Sequence, residues 1–410
     1  MIRSSALLCA LLGALSACTS TLDSLGQDDG SSGGSAGLGQ ALRPVNPPAT
    51  YNAFKELGIA SDEDIEAKLE TAFSSLFDPD PQSTETILVL QEPGALIKDV
   101  LHDDVRTEGM GLAMVVAVEL DKREVFDQLW AFAKGKLRQE SGPAQGYFNS
   151  LCDEDVVTTC LDTYGMQHFA LALVLASGRW HGATYSQDAL ALLDLLQHGI
   201  GSPFDAKTHL VHEEPKLVPP DYTRSALEMP GAYWLWAQAT GDPFWTNAAK
   251  AAREHLVNSA HPTTGLWPMR SDFSGNPVMG DFTEQAYRTH LNLALDALWG
   301  RGEASSAEVD SQKKLADRVL AFFKEQGLKT YGGTFTVAGD AIDPTHARAL
   351  VSVNGALVVA ASRTDANKDD RIAFANFVWT QEIPTGTNRY YDGLMYMMSL
   401  LILSGQLQVH

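Results

Sequence analysis

Two short stretches concentrate side chains able to move protons. Val105-Arg-Thr-Glu-Gly-Met-Gly-Leu-Ala-Met114 sets Glu108 at the mouth of an apolar helical run. A carboxyl held there is partly desolvated, and desolvation raises its pKa toward the range a general acid needs. The same residue type also caps helix N-termini, so a structural reading stands beside the catalytic one. Gly280-Asp-Phe-Thr-Glu-Gln-Ala-Tyr-Arg288 gathers Asp281, Glu284, Gln285 and Arg288 ahead of a second apolar run. Its acids are either helix caps or half of an acid–base pair. His209-Leu-Val-His-Glu-Glu-Pro215 has two His and two Glu, but at no metalloprotease spacing, and reads as a solvated loop. Asp365, Asn367 and Asp369 begin like a calcium loop, yet Asp370 stands where a glycine is needed and Asn376 where the closing acid belongs. No Gly-rich phosphate loop or nucleophile elbow is present. The expectation is therefore no metal and no cofactor.

These side chains must be positioned by helices. From Tyr51 onward apolar residues recur at i, i+3, i+4, i+7 near 61–77, 108–137, 164–177, 186–197, 226–240, 243–258, 284–299, 307–326, 346–362 and 390–404, with little β-like alternation. Gly, Pro and Asp clusters such as "FDPDPQS", "ESGPAQG" and "HPTTG" separate them. That pattern predicts a single all-α domain over 51–410, for which a barrel of helical hairpins is one arrangement. "HFALALVLAS" and "GLMYMMSLLILSG" are apolar almost all round and belong on an inner, doubly covered layer.

The stretch "RTEGMGLAMVVAVELDKREVFDQLWAFAKGKL" resembles glycoside hydrolase family 8. The similarity continues in the family's order through "HFALALVLASGRW", "MPGAYWLWAQATGDPFW", "HPTTGLWP", "EQAYRTHLNLALDALW" and "RYYDGLMYMMSLLILSGQ", and looks closest to the reducing-end xylose-releasing exo-oligoxylanases. It implies an (α/α)6 barrel with a cleft at one end, and inverting hydrolysis of β-linked oligo- or polysaccharides, xylan-like or glucan-like. Glu108 matches the family's general acid. Inversion needs a second carboxylate about 6.5–9.5 Å away with a water between. In the family's commonest pattern an Asp precedes Ala-Tyr/Cys-Arg, and here that position is Gln285, an amide that cannot take the proton.

Asp281, Glu284 and Glu228 are the candidate replacement bases, with a more distant residue or none as the remaining alternatives; without any base the chain reads as a glycan-binding envelope lipoprotein that has lost its activity. Other departures fall on the expected pocket. Thr163-Tyr164-Gly165-Met166 replaces Pro-Asp-Gly-Glu, so Tyr164 stands where an Asp grips the sugar and Asp162 lies two residues away. Leu112 displaces an aromatic, and Ala226-Leu227-Glu228 replaces Ser-Tyr-His. Trp267, Tyr287, Tyr390, Tyr391 and Trp180 are candidate sugar platforms, each equally able to fill a helical core. Arg288 keeps the family pattern and positions a carboxylate or a sugar hydroxyl, or forms an ordinary buried ion pair.

Composition bounds the partners. A net charge of −21 over 410 residues argues against nucleic acid. "MIRSSALLCALLGALSACTS" has a signal-peptide pattern over 1–17, and Leu15-Ser-Ala-Cys18 resembles a lipobox that would lipidate Cys18. Acyl chains would hold the chain on a bilayer without spanning it. Thr19, with no Asp after the cysteine, favours the outer membrane of the cell envelope. Residues 18–50, rich in Gly, Ser and Asp, read as a flexible tether. Cys152 and Cys160 would then face an oxidising compartment, which predicts a disulfide contributing about 2–3 kcal/mol. A monomer is expected.

Overall fold

The computed structural model describes residues 41–79, 85–151, 161–218 and 220–410. The signal-peptide pattern, Cys18 and the Cys152–Cys160 pair lie outside the described residues. Thirteen α-helices are described: α1 (Ala53–Glu56), α2 (Asp62–Phe77), α3 (Thr107–Glu119), α4 (Arg123–Phe132), α5 (Thr163–Trp180), α6 (Ala183–His198), α7 (Pro230–Thr240), α8 (Pro243–Asn258), α9 (Glu284–Trp299), α10 (Ser306–Glu325), α11 (Arg348–Leu357), α12 (Lys368–Thr380) and α13 (Arg389–Ser404). In the ring α3–α5–α7–α9–α11–α13 each helix packs on the next, and α13 returns to α3. Outside it α4 packs on α3, α6 on α5, α8 on α7, α12 on α11 and α2 on α13, while α10 bridges α8 and α11. The result is an (α/α)6 barrel, as expected.

Composition decides which helices go inside. Every residue of α3 is buried, as is α5 from Thr163 to Ala176 and α13 from Gly393 to Ser404. Outer helices bury one stripe only; in α10 that stripe includes Leu315, Ala316, Val319 and Phe323. Local signals set the ends. Ser61 with Asp64 and Ser305 with Glu308 form capping boxes, Pro230 and Pro243 open α7 and α8, and Gly241 and Gly405 close α7 and α13 in the left-handed conformation. The layers are also cross-linked: Arg253 of α8 forks onto Asp296 of α9 at 2.9 and 2.7 Å, and Gln312 of α10 donates to the same carboxylate at 2.8 Å. Removing one partner of so buried a pair costs about 3–5 kcal/mol.

The run read as one helix over 108–137 is two, because Asp121 turns the chain with φ 55°. The stretch 226–240 splits likewise into a short 3-10 turn at Ser225–Leu227 and α7. Residues 41–50, read from the sequence as tether, lie against the barrel. Leu42 N–H bonds Ser186 Oγ at 2.9 Å, Arg43 N–H bonds the Ala239 carbonyl at 2.7 Å, and Leu42 and Val45 pack on the core. These apolar side chains supply the contact surface that the Gly/Ser residues before them lack. They meet the barrel where α7 ends and α6 begins.

Short antiparallel ribbons precede the inner helices at the other end. β1 (Leu88–Gln91) pairs with β2 (Gly94–Ile97), β3 (Tyr222–Thr223) with β4 (Arg270–Asp272), β4 with β5 (Pro277–Met279), and β6 (Thr334–Phe335) with β7 (Ala341–Asp343). A bridge from Phe282 to Phe335, with N–H···O contacts of 2.8 and 3.1 Å, ties the segment entering α9 to that entering α11.

Candidate active site

Glu108 sits in the first turn of α3, where the starts of α5, α9 and α13 meet it. Two loops fix it. Val105 pairs with Leu151, and the Thr107 N–H bonds Ser150 Oγ at 3.0 Å. Glycines then let three elements converge. A Cβ on Gly165 would lie 2.4 Å from the Thr107 carbonyl carbon and 2.6 Å from the Glu108 nitrogen, so the start of α5 presses directly on the start of α3. A Cβ on Gly111 would meet the Gly165 carbonyl oxygen at 2.8 Å, and one on Gly109 would meet the Tyr390 hydroxyl at 2.6 Å. The Glu-Gly-Met-Gly spacing thus serves close packing around the acid.

Only 11% of the Glu108 side chain reaches solvent, little enough to desolvate it. Its Oε1 pairs with Arg288 Nη1 at 2.5 Å. Burial pushes the carboxyl above its usual range and the negative charge of Asp162 adds to this, while Arg288 and Arg106 oppose it. Asp162 caps α5, accepting from the Tyr164 and Gly165 N–H groups at 3.1 and 3.2 Å, and its carboxylate also takes a 3.5 Å contact from the Thr107 hydroxyl. The Arg288 guanidinium lies over the Tyr164 ring at 4.6 Å and the Tyr391 ring at 5.9 Å. Glu108, Asp162, Tyr164, Arg288 and Tyr391 are therefore brought together. The hydroxyls of Tyr164 and Tyr390 are buried and bond no protein group, which leaves two polar atoms beside the acid.

Gln285 lies in the first turn of α9. Its Oε1 accepts from Arg224 Nη1 at 2.6 Å and from Arg288 Nη2 at 3.2 Å. Asp281 is half-buried in the loop before α9, and Glu284 is exposed, with its backbone carbonyl taking the Tyr391 hydroxyl at 2.7 Å. Glu228 corrects an expectation. It is wholly buried, accepts from the Val211 N–H and the Thr223 hydroxyl at 3.1 Å each, and is pushed up to about 8 by burial. A walled-off carboxyl cannot activate a solvent water or touch a sugar.

Trp267 also differs from expectation. It is 0% exposed, with its indole N–H on the Leu256 carbonyl at 2.8 Å and its ring against His290, so it fills the core rather than offering a platform. Tyr287 is buried likewise, its hydroxyl spent on the Gly333 carbonyl. Trp180, at the end of α5, bonds Asp121 at 2.7 Å on the far side of the barrel. Among the candidate platforms Tyr391 keeps a partly open ring beside Arg288.

The stretch 209–215, read as solvated loop, is only partly so. His212 is buried with Nδ1 2.8 Å from the Pro220 carbonyl, and Glu213 joins two arginines. Arg270 forks onto Glu213 at 2.9 and 3.0 Å, while Arg224 pairs with its Oε1. A continuous chain runs Arg270–Glu213–Arg224–Gln285–Arg288–Glu108. Sequence reading did not connect its first three members, because they lie in loops and in the short strand β4, where no helical periodicity marks them. Among the described residues no cluster of three or more His, Cys, Asp or Glu has metal-binding geometry.

An acid at the mouth of the first inner helix of an (α/α)6 barrel is an arrangement a glycosyl hydrolase can use, and the chain belongs to glycosyl hydrolases family 8, whose profile matches residues 90–405. Its relatives include the reducing end xylose-releasing exo-oligoxylanase of Halalkalibacterium halodurans, 31% identical over 87% of this chain and 94% of that protein. Endoglucanase 2 of Ruminiclostridium josui is more distant, 25% identical over 74% of this chain and 64% of that protein. Among solved structures, a family 8 xylobiose complex from Teredinibacter turnerae superposes with a TM-score of 0.78 at 28% identity, covering 88% of this chain and 97% of that one. Rex8A of Paenibacillus barcinonensis complexed with xylose is similar, with a TM-score of 0.77 and 29% identity.

Proposed function

We propose that this chain hydrolyses β-linked xylo-oligosaccharide-like chains with inversion, with Glu108 as general acid. The observation that carries the reading is the buried Glu108 carboxyl, raised above its usual range on a side chain that keeps 11% of its surface open to solvent. Protonated Glu108 gives its proton to the glycosidic oxygen as the C1–O bond breaks. A water then attacks C1 from the opposite face and passes its proton to a base. Arg288 holds the Glu108 carboxylate once the proton has left, and Tyr391 offers its ring to a sugar. Asp281, in the loop just before Gln285, is the base this reading favours, since loop backbone can swing its carboxylate toward the water. Glu284 is the lesser candidate, because it points from the exposed side of α9. The xylose-releasing relatives support xylo-oligosaccharides over glucans. Incubation with xylotetraose, followed by proton NMR of the first product, tests the reading: the new reducing end appears as the α anomer, and a β anomer would contradict inversion.

A second reading, binding without cleavage, draws on Gln285, whose amide oxygen is already held by two guanidiniums and cannot accept a proton. Gln285→Asp separates the two. A gain of hydrolysis of tenfold or more means the parent site lacks its base.

The same proposal places the protein on the outer membrane through an acylated Cys18. Cys18→Ser is expected to move it to the soluble fraction on cell fractionation. Retention in the membrane pellet would contradict the anchor.

A further inference from the structure

The arginine chain beside Glu108 points to the kind of glycan the site receives. Gln285 Oε1 is a neutral oxygen shared by two guanidiniums, Arg224 Nη1 at 2.6 Å and Arg288 Nη2 at 3.2 Å. Two like charges meeting at an uncharged acceptor repel, and the usual occupant of such a place is an anion. The carboxylates nearby do not fill it. Glu213 is taken by Arg270 and Arg224 together, and Glu108 carries a proton while it acts as an acid. With Glu108 neutral, three arginines (224, 270 and 288) face the two negative charges of Glu213 and Asp162.

Burial and the repulsion of Arg270 and Arg288 lower Arg224 to about 10, while Asp162 and Glu108 oppose them. The Nε–H groups of Arg224 and Arg288 are buried and bond no protein group. Solvent still reaches the line: the side chains of Arg224, Arg270 and Glu213 are 19, 21 and 21% exposed. The chain as a whole carries a net charge of −21, so this line of arginines stands out against its overall acidity.

We infer that the site takes an acidic glycan, with a uronic acid carboxylate of the ligand received by Arg224 and Arg288 next to Gln285. The inference rests on the reading of this end of the barrel as a glycan site and adds the substrate class. A planar carboxylate matches the arginine fork, and its charge completes the balance that an amide leaves open. A hydrogen bond to a charged group is worth enough to give about tenfold to a hundredfold in affinity.

The test is calorimetric titration of the full-length Glu108→Gln protein, which serves as the non-cleaving parent here, with xylotetraose and with xylotetraose bearing one glucuronic acid branch, at low and high salt. The acidic oligosaccharide is expected to bind at least tenfold more tightly, with the advantage shrinking as salt rises. Arg224→Gln is expected to cut the ratio of the two affinities toward one. Gln285→Asp, which supplies the anion from the chain itself, should do the same while leaving Arg224 in place. Equal affinities in the parent protein overturn the inference and leave the hydrolase reading standing. Persistence of the full ratio in both variants overturns it as well. Binding of neither oligosaccharide overturns the glycan site and the inference together.

Discussion

Glu108 and Asp162 act on one another at short range. Asp162 belongs to the cap of α5, yet its negative charge helps hold the Glu108 proton. A general acid works only while protonated, so hydrolysis is lost as pH rises through the pKa of Glu108. Raising that pKa extends activity toward neutrality. Asp162→Asn keeps a capping side chain and removes the charge, so the alkaline limb of the pH–rate profile is expected to move to lower pH. A limb that stays in place would show that Asp162 does not influence the acid. Glu108 itself was legible in the sequence, because a Glu followed by Gly at the head of an apolar run carries a helix-start signal. The roles of Glu228 and Trp267 were not: pattern gives helical phase, and nothing in phase distinguishes a pocket wall from the core behind it.

At the scale of elements, the site depends on how closely helix starts approach. Gly165 separates α5 from the backbone of Thr107 and Glu108 by less than a methyl group needs. Gly165→Ala must push backbone against backbone, so a loss of about 1–3 kcal/mol is expected in chemical denaturation, with turnover falling because Glu108 shifts. An unchanged midpoint would mean the helices part freely. The ring itself could be foreseen, since α3, α5 and α13 are apolar on every face and only an inner layer buries such helices. The break at Asp121 could not, because the apolar periodicity of α3 runs straight into that of α4. Nor could the Arg224–Glu213–Arg270 contacts, which join segments from separate loops whose pairing is decided by the barrel. The docking of residues 41–50 had a sequence signal in Leu42 and Val45, obscured by the Gly/Ser composition before them.

Across the whole molecule, burial of ionisable groups sets the pH range of stability. Burial lowers His168 and His255 to about 4 and His290 to about 3, against about 6.5 in an unfolded chain. Below pH 6.5 the unfolded chain takes up protons that these imidazoles refuse, so stability falls with acidification by about 1.4 kcal/mol per pH unit for each. Glu228 works the other way. Its folded pKa of about 8 lies above the unfolded value, so its contribution is complete in acid and is lost as pH rises toward 8. Burial raises Glu108, Glu119 and Asp392 as well, so below pH 6.5 the two trends oppose one another, and above it only the carboxyl trend remains. Calorimetric melting temperature should therefore fall from pH 6.5 to pH 8, and Glu228→Gln should flatten that decline. A melting temperature that climbs steadily to pH 8 would contradict this balance.

The most direct measurement of the account is the rate of Glu108→Gln on two substrates, natural xylotetraose and a xyloside with a dinitrophenolate leaving group. If Glu108 donates the proton, hydrolysis of xylotetraose falls by about a hundredfold to ten-thousandfold. The activated xyloside, whose leaving group needs no proton, keeps most of its rate. Equal loss on both substrates, or no loss on xylotetraose, would remove Glu108 from the chemistry.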